Sequence, residues 1–223
     1  MEHLPTDARQ DNPLKITNDA RKAGLDFRLI NPAAPDHEGS KTNEAVNNIV
    51  RLWQKWEADK GTQLVFCDLS TPKNAKAASK PGGITFTVDD GSDGQSPPEE
   101  SMDDILAARA SFSVYDDLKA KLIARGIPAD EIKYIHDANT DIQKAKLFED
   151  VNQGRVRVLL GSTAKMGAGT NVQKRLVALH HLDAPWRPSD LEQREGRIIR
   201  QGNELHGRDP ENFEVEIIRY ATK

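Results

Sequence analysis

Apolar residues recur at three-to-four spacing from Thr42 to Trp56, at Ala45, Val46, Ile49, Val50, Leu52, Trp53 and Trp56. That period marks one face of an amphipathic helix, and Gly61 closes the element. Directly after it, Gln63-Leu64-Val65-Phe66-Cys67-Asp68 is a nearly continuous apolar run, the pattern of a strand covered on both faces. The spacing of Val114, Leu118, Leu122 and Ile123 predicts a second helix over 113–126, with Gly126 at its C-terminal cap and Pro128 beyond. Ile132 to His136 reads as a strand, Thr140 to Gln153 as a helix with a Thr or Asp cap and Gly154 at its end, and Val156 to Leu160 as a strand. A further strand at Leu176 to Leu182, a helix at Ser189 to Ile199 and an alternating strand at Phe213 to Tyr220 complete the series. The first dozen residues are polar and read as a frayed end, with structure beginning near Ile16.

Strands alternating with helices over short connections predict an α/β fold, a doubly wound parallel sheet with helices on both faces. The expected division is an N-terminal extension, residues 1–60, whose helices pack on the core, followed by the sheet domain at 61–223. Residues 72–110 interrupt the pattern. They are rich in Gly, Ser, Pro and acids, hold one candidate strand at Ile84 to Val88, and read as an insertion: a disordered loop, a strand-separating element or a partner-binding arm. Ligands of such sheets collect beyond the carboxyl ends of the strands. Here those ends are Asp68 to Thr71, His136 to Thr140, Gly161 to Asn171 and Asp183 to Arg187.

Composition narrows the picture without changing it. The chain has 223 residues, 37% hydrophobic and 30% charged, and no apolar run near the roughly 18 needed to cross a bilayer. A single cysteine, Cys67, leaves no partner for a disulfide or a zinc site, which points to a reducing, cytoplasmic setting without a metal or membrane. The net charge of −4 argues against a surface that grips a polyanion everywhere, yet its distribution is uneven. From Pro81 to Ala108 there are seven acids and no Lys or Arg, whereas Lys165 to Arg208 holds eight basic and five acidic residues. Phosphate contacts are expected from the second stretch.

The strongest chemical signal lies there, in Gln193-Arg194-Glu195-Gly196-Arg197-Ile198-Ile199-Arg200-Gln201-Gly202. On a helix Gln193, Arg197 and Arg200 share a face, and guanidinium forks suit charge developing on a transferring phosphoryl group. A solvated basic face offset by Glu192 and Glu195 is the plainer alternative. Gly161-Ser162-Thr163-Ala164-Lys165-Met166-Gly167-Ala168-Gly169-Thr170-Asn171 follows a strand. Gly167 and Gly169 allow close backbone approach, Ser162 and Thr163 can donate to phosphate oxygens, and Lys165 adds charge; an ordinary turn uses the same residue types.

These segments resemble the motifs of superfamily 2 helicases. Gln193 to Arg200 resembles the last motif, whose arginines reach across a cleft as fingers, and Gly161 to Asn171 resembles motif V. Asp183-Ala184-Pro185-Trp186-Arg187-Pro188 is similar to the Asp-x-x-Trp-x-Pro of Swi/Snf-type translocases. Gln63 to Thr71 resembles motif IV, and Tyr134 to Thr140 motif IVa, although Asp137-Ala138-Asn139-Thr140 stands where those relatives carry Gly-Ser-Thr. Ile16 to Leu29, with Gln63 to Pro72, looks like the large helicase-methylase proteins of phages and mobile elements; a solvated helix face is the other reading of Arg21, Lys22 and Arg28.

The resemblance implies a RecA-like C-terminal lobe of an ATP-dependent motor on DNA, duplex rather than single-stranded. It implies Arg197, Arg200 and Gln193 as catalytic residues. Gly167, Gly169, Asn171 and Arg194 are implied as cofactor-binding residues, and Ser70, Thr71, Asn139, Thr140, Ser162, Thr163 and Lys165 as nucleic-acid contacts. ATP with Mg2+ is the implied cofactor, bound mainly by a first lobe, because no Gly-x-x-x-x-Gly-Lys-Ser/Thr loop or acidic pair after an apolar strand occurs in these residues. A non-catalytic nucleic-acid-binding module on the same fold is the alternative, and alone the chain is expected to hydrolyse no ATP.

Overall fold

A computed structural model of the chain describes residues 13–71, 112–166, 171–196, 201–211 and 213–222. Among the described residues five strands form one all-parallel sheet: β1 (Thr62–Phe66), β2 (Ile132–Tyr134), β3 (Val158–Gly161), β4 (Leu176–His181) and β5 (Glu216–Arg219). Their order is β2-β3-β1-β4-β5. The central strand β1 therefore pairs β3 on one side, Val65 opposite Leu160, and β4 on the other, Val65 opposite His180. Parallel neighbours require crossovers, and the helices α1 (Pro13–Leu25), α2 (Lys41–Lys55), α3 (Val114–Ala124), α4 (Asp141–Asn152), α5 (Thr163–Met166), α6 (Pro188–Glu195) and α7 (Glu204–Arg208) lie in or flank those connections.

Alternate residues of β1 and β3 feed two separate cores, with β2 adding to the first and β4 to the second. Val65, Ile132, Tyr134, Val158 and Leu160 pack with Ala45, Val46, Ile49 and Val50 of α2 and Val114, Leu118 and Leu122 of α3. Leu64, Phe66, Leu159, Leu176 and Leu179 face the other way, onto Val151 of α4 and Met166 of α5. The sheet is thus covered on both faces, as the apolar runs imply, and the arrangement is the RecA-like α/β fold expected. Helix α2 is itself a layer of the first core.

Local chemistry fixes the ends. Ser40 caps α2 by accepting from the Asn43 amide, and Ser113 caps α3 in the same way through Asp116. Thr140 forms a reciprocal capping box with Gln143 at the start of α4, and Gly154 behind that helix has a φ of 73°, a conformation that favours glycine. The strand expected at 132–136 stops at Tyr134 and passes into a tight 3-10 turn, Ile135–Asp137. Helix α6 is described only to Glu195, so the expected continuation to Ile199 lies outside the described residues, as do residues 72–111 with the candidate strand Ile84 to Val88.

Two of the arginines for which a solvated helix face is one of the readings are tied down. Arg28 is buried, forks onto Asp26 at 2.7 and 2.9 Å and reaches Asp117 of α3 at 3.0 Å. Arg21 of α1 donates to the Ala184 carbonyl at 2.7 Å and stacks over exposed Trp186, 4.3 Å from the ring centroid. The N-terminal segment is pinned at two points. Lys22 keeps a surface pairing with Asp19.

Candidate nucleotide and nucleic-acid cleft

The carboxyl ends of β1 and β3 meet α6 through its last turn. Each of β1 and β4 is followed by an aspartate, Asp68 two residues after β1 and Asp183 two after β4, and a single guanidinium lies between them. Arg194 is fully buried and donates from Nη2 to Asp68 Oδ2 at 2.6 Å and to Asp183 Oδ1 at 3.3 Å. Its Nε donates to Thr163 Oγ1 at 2.7 Å and its Nη1 to the Asp183 carbonyl at 3.0 Å. The guanidinium also stands 5.0 Å from the Phe66 ring. Asp183 in turn accepts the Asp68 and Leu69 amides, and Asp68 accepts the Thr163 amide and hydroxyl. The loops after β1, β3 and β4 are thereby knotted to α6.

Burial and charge oppose one another in this knot. Desolvation raises the Asp183 pKa above its ordinary value, and the Arg194 charge pulls it back. His181, 3.4 Å from Arg194 Nη1, is lowered to about 4, by burial first and by the guanidinium second. Because arginine only donates, His181 Nδ1 must accept, which puts the ring proton on Nε2, facing Glu195 at 3.6 Å.

Above the knot opens a cleft of about 530 Å3 lined by Asp68, Thr71, Ser162, Thr163, Ala164, Asp190 and Gln193. Four of the residues expected to act, Thr71, Ser162, Thr163 and Gln193, meet there although they come from three separated stretches of chain. Gln193 and Arg194 are adjacent on α6 yet diverge, the amide exposed and the guanidinium buried. Lys165 is exposed on α5, beside this lining rather than in it.

Other expectations are modified. Arg194, expected to bind cofactor, has its donors turned inward onto protein acceptors and acts here as a structural tie. The Ser70 hydroxyl accepts the Val114 amide, and the Thr140 hydroxyl caps α4, so both oxygens serve helix ends; neither residue, nor exposed Asn139, lines the cleft. Asn171 is exposed, and its carbonyl accepts from Asn152 of α4. Gly167, Gly169, Arg197 and Arg200 lie outside the described residues. Sequence reasoning assigned no role to Asp68 or to His136, although a carboxylate just past a fully covered strand is a signal that something buried neutralises it.

For a magnesium nucleotide the fit is partial. The Ser162 hydroxyl and the Gln193 amide suit phosphate oxygens, whereas the Thr163 hydroxyl gives its one proton to Asp68; both Asp68 oxygens are occupied by Thr163 and Arg194, so that carboxylate is no ready magnesium ligand. Among the described residues no cluster of His, Cys, Asp or Glu is arranged to hold a metal, and no helix is long and apolar enough to cross a membrane.

Residues 105–202 match the family described as the helicase conserved C-terminal domain, a little under half of the chain. That segment, which contains Ser162, Thr163 and Gln193, is similar to a C-terminal helicase lobe. No curated protein matches the chain. Among solved structures the chain is similar to the helicase domain of Hef from Pyrococcus furiosus, with 11% identity, a TM-score of 0.41, and coverage of 88% of this chain and 28% of that one. The chain thus spans under a third of that protein's length.

Proposed function

We propose that this chain is the C-terminal lobe of an ATP-dependent DNA helicase or translocase, Swi/Snf-like in its loops, as in the helicase-methylase proteins of phages and mobile elements. The observation that carries this reading is the convergence of Thr71, Ser162, Thr163 and Gln193 on one cleft at the carboxyl ends of the strands. Thr71 and Ser162 offer hydroxyl donors to a sugar-phosphate backbone, which position without reading sequence, Thr163 holds its loop to Asp68 and Arg194 beneath them, and Lys165 adds a positive charge beside them. Gln193 faces the nucleotide side, with Arg197 and Arg200 further along the same segment as the arginine fingers. ATP, held mainly by a first lobe that carries the phosphate loop and the acidic pair, supplies the driving force through transfer of its terminal phosphoryl group to water.

The test mixes the 223-residue chain with a separately produced first lobe and measures duplex-stimulated ATP hydrolysis, alongside duplex and single-strand binding at two salt concentrations. Turnover is expected only in the mixture, and R197A or R200A is expected to lower it by about 1000-fold or more. Robust hydrolysis by the chain alone, or full activity of both variants in the mixture, would refute the reading. Salt-dependent duplex binding that the first lobe never converts to turnover would favour the non-catalytic module.

A further inference from the structure

His136 lies in the turn that ends β2, outside the cleft lining, and nothing in the proposed reaction uses it. It is 9% exposed, its ring meets Tyr115 edge-on at 5.5 Å, and its Nδ1 is buried with no hydrogen-bond partner among the described residues. Its Nε2 faces the Ser162 hydroxyl at 3.4 Å, and that hydroxyl also accepts the Lys165 amide at 3.4 Å. Ser162 is the residue of this pair that lines the cleft.

We infer that His136 is a positioning residue that turns the Ser162 hydroxyl into a hydrogen-bond donor toward the cleft, so that Ser162 meets a ligand acceptor such as a phosphate oxygen. The inference rests on the proposed nucleic-acid role of the cleft. Burial, and after it the charge of Lys165, hold the His136 pKa below its ordinary value, outweighing Asp137 and Asp68, so the ring is neutral and carries one proton. Two tautomers then compete. With the proton on Nδ1, a buried N–H is left without an acceptor, and Nε2 takes the Ser162 proton, leaving the serine only lone pairs for a ligand. With the proton on Nε2, the histidine donates to Ser162 Oγ, which already accepts from Lys165, and the serine proton must go elsewhere. The unpaired group is then a bare ring nitrogen, and orphaned buried acceptors are tolerated more often than orphaned buried N–H groups. The second tautomer is therefore the stable one, and it makes Ser162 a donor before any ligand arrives.

The test has two readouts on the full chain. Long-range 1H–15N correlation of the histidine rings at neutral pH reports which nitrogen of His136 is protonated, without any ligand. Anisotropy of a fluorescein-labelled duplex oligonucleotide then compares H136L, H136Q, S162A and the double variant H136L/S162A. Protonated Nε2 is expected, with duplex affinity about 5-fold weaker in H136L and in S162A, the size of one net hydrogen bond, and no weaker still in the double variant. H136Q, whose amide can donate from the Nε2 position, is expected to recover most of the loss, which a purely structural role for the ring would not produce.

A proton on Nδ1, or additive losses in the double variant, overturns the inference even if H136L folds poorly, because the tautomer is read on the unsubstituted chain. Protonated Nε2 in a chain that binds no duplex would instead count against the nucleic-acid reading and leave the hydroxyl orientation standing.

Discussion

Replacing Arg194 by methionine separates a structural tie from a ligand contact. The substitution keeps the length of the side chain and deletes the guanidinium, leaving Asp183, whose side chain is 2% exposed, and Asp68, at 28%, without their shared cation. Removing one partner of a buried ion pair costs about 3–5 kcal/mol, because the remaining charge stays desolvated. Against a typical domain stability of about 5–15 kcal/mol, R194M should move the urea midpoint substantially, read by tryptophan fluorescence. The loss should also carry a pH signature. With the guanidinium gone, only the Asp68 and Leu69 amides restrain the rise in the Asp183 pKa that burial causes. A raised native pKa means the folded state holds a proton the unfolded state has released. That contribution is complete below the unfolded value of 3.8 and disappears as pH climbs through the folded value. The gap between R194M and the unsubstituted chain should therefore be wider at pH 7 than at pH 5, and D183N in the R194M background should narrow it at pH 7. R194K, which retains charge but cannot fork across Thr163, Asp68 and Asp183, should fall between the two. A loss below about 1 kcal/mol at pH 7, with no dependence on pH, would refute the account of Arg194 as the tie that holds these loops.

Two further outcomes follow from groups around the same knot. His180 bonds Tyr220 at 2.8 Å and Gln63 at 2.9 Å inside the sheet and is lowered to about 3, chiefly by burial, as His181 is to about 4. Both stay neutral in the fold while the unfolded chain takes up protons below pH 6.5, so stability falls on acidification. Between pH 7 and 5 the loss should be about 2 kcal/mol per histidine, and H180Q should remove one such share from the slope of denaturation free energy against pH; an unchanged slope would show that His180 does not titrate differently on unfolding. Gly161→Ala should cost about 1–3 kcal/mol in chemical denaturation, since a Cβ there would stand 2.5 Å from Ile135 Cγ2 and 2.7 Å from Met166 Cγ, and equal stability would mean that turn and helix yield freely.

The parts of this molecule legible in its sequence are those where a period and a chemical cap agree. Helix α2 was readable because Ala45, Val46, Ile49, Val50 and Leu52 keep one face, and α4 because Thr140 and Gln143 sit at capping-box spacing with Gly154 behind them. The parallel sheet followed from short runs such as Leu64 to Phe66, apolar at every position because both faces are covered. What the pattern could not supply was direction within a charged segment. Gln193 and Arg194 are neighbours in a string of polar residues, and nothing in that string tells which one turns inward; the answer depends on Asp68 and Asp183, 126 and 11 residues away. Arg28 is held both by Asp26, two residues away, and by Asp117, 89 residues distant, and only the first of these lies within reach of a local pattern. Long-range ion pairing leaves no period.

That division of α6 into an inward and an outward face constrains how the cleft can work. Gln193 can shift relative to Ser162 and Thr163 only if α6 moves over the sheet, and any such movement must break the contacts of Arg194 with Thr163, Asp68 and Asp183 while Arg194 and Asp183 remain buried. Each broken charged contact there is costly in a way that surface pairs are not. The hydroxyl loops and α6 should accordingly travel as one body. Under the proposed function, any opening and closing during turnover then belongs to the boundary between this chain and its proposed partner lobe. A cleft of this kind registers a ligand by where the lobe docks, with little change in its own shape.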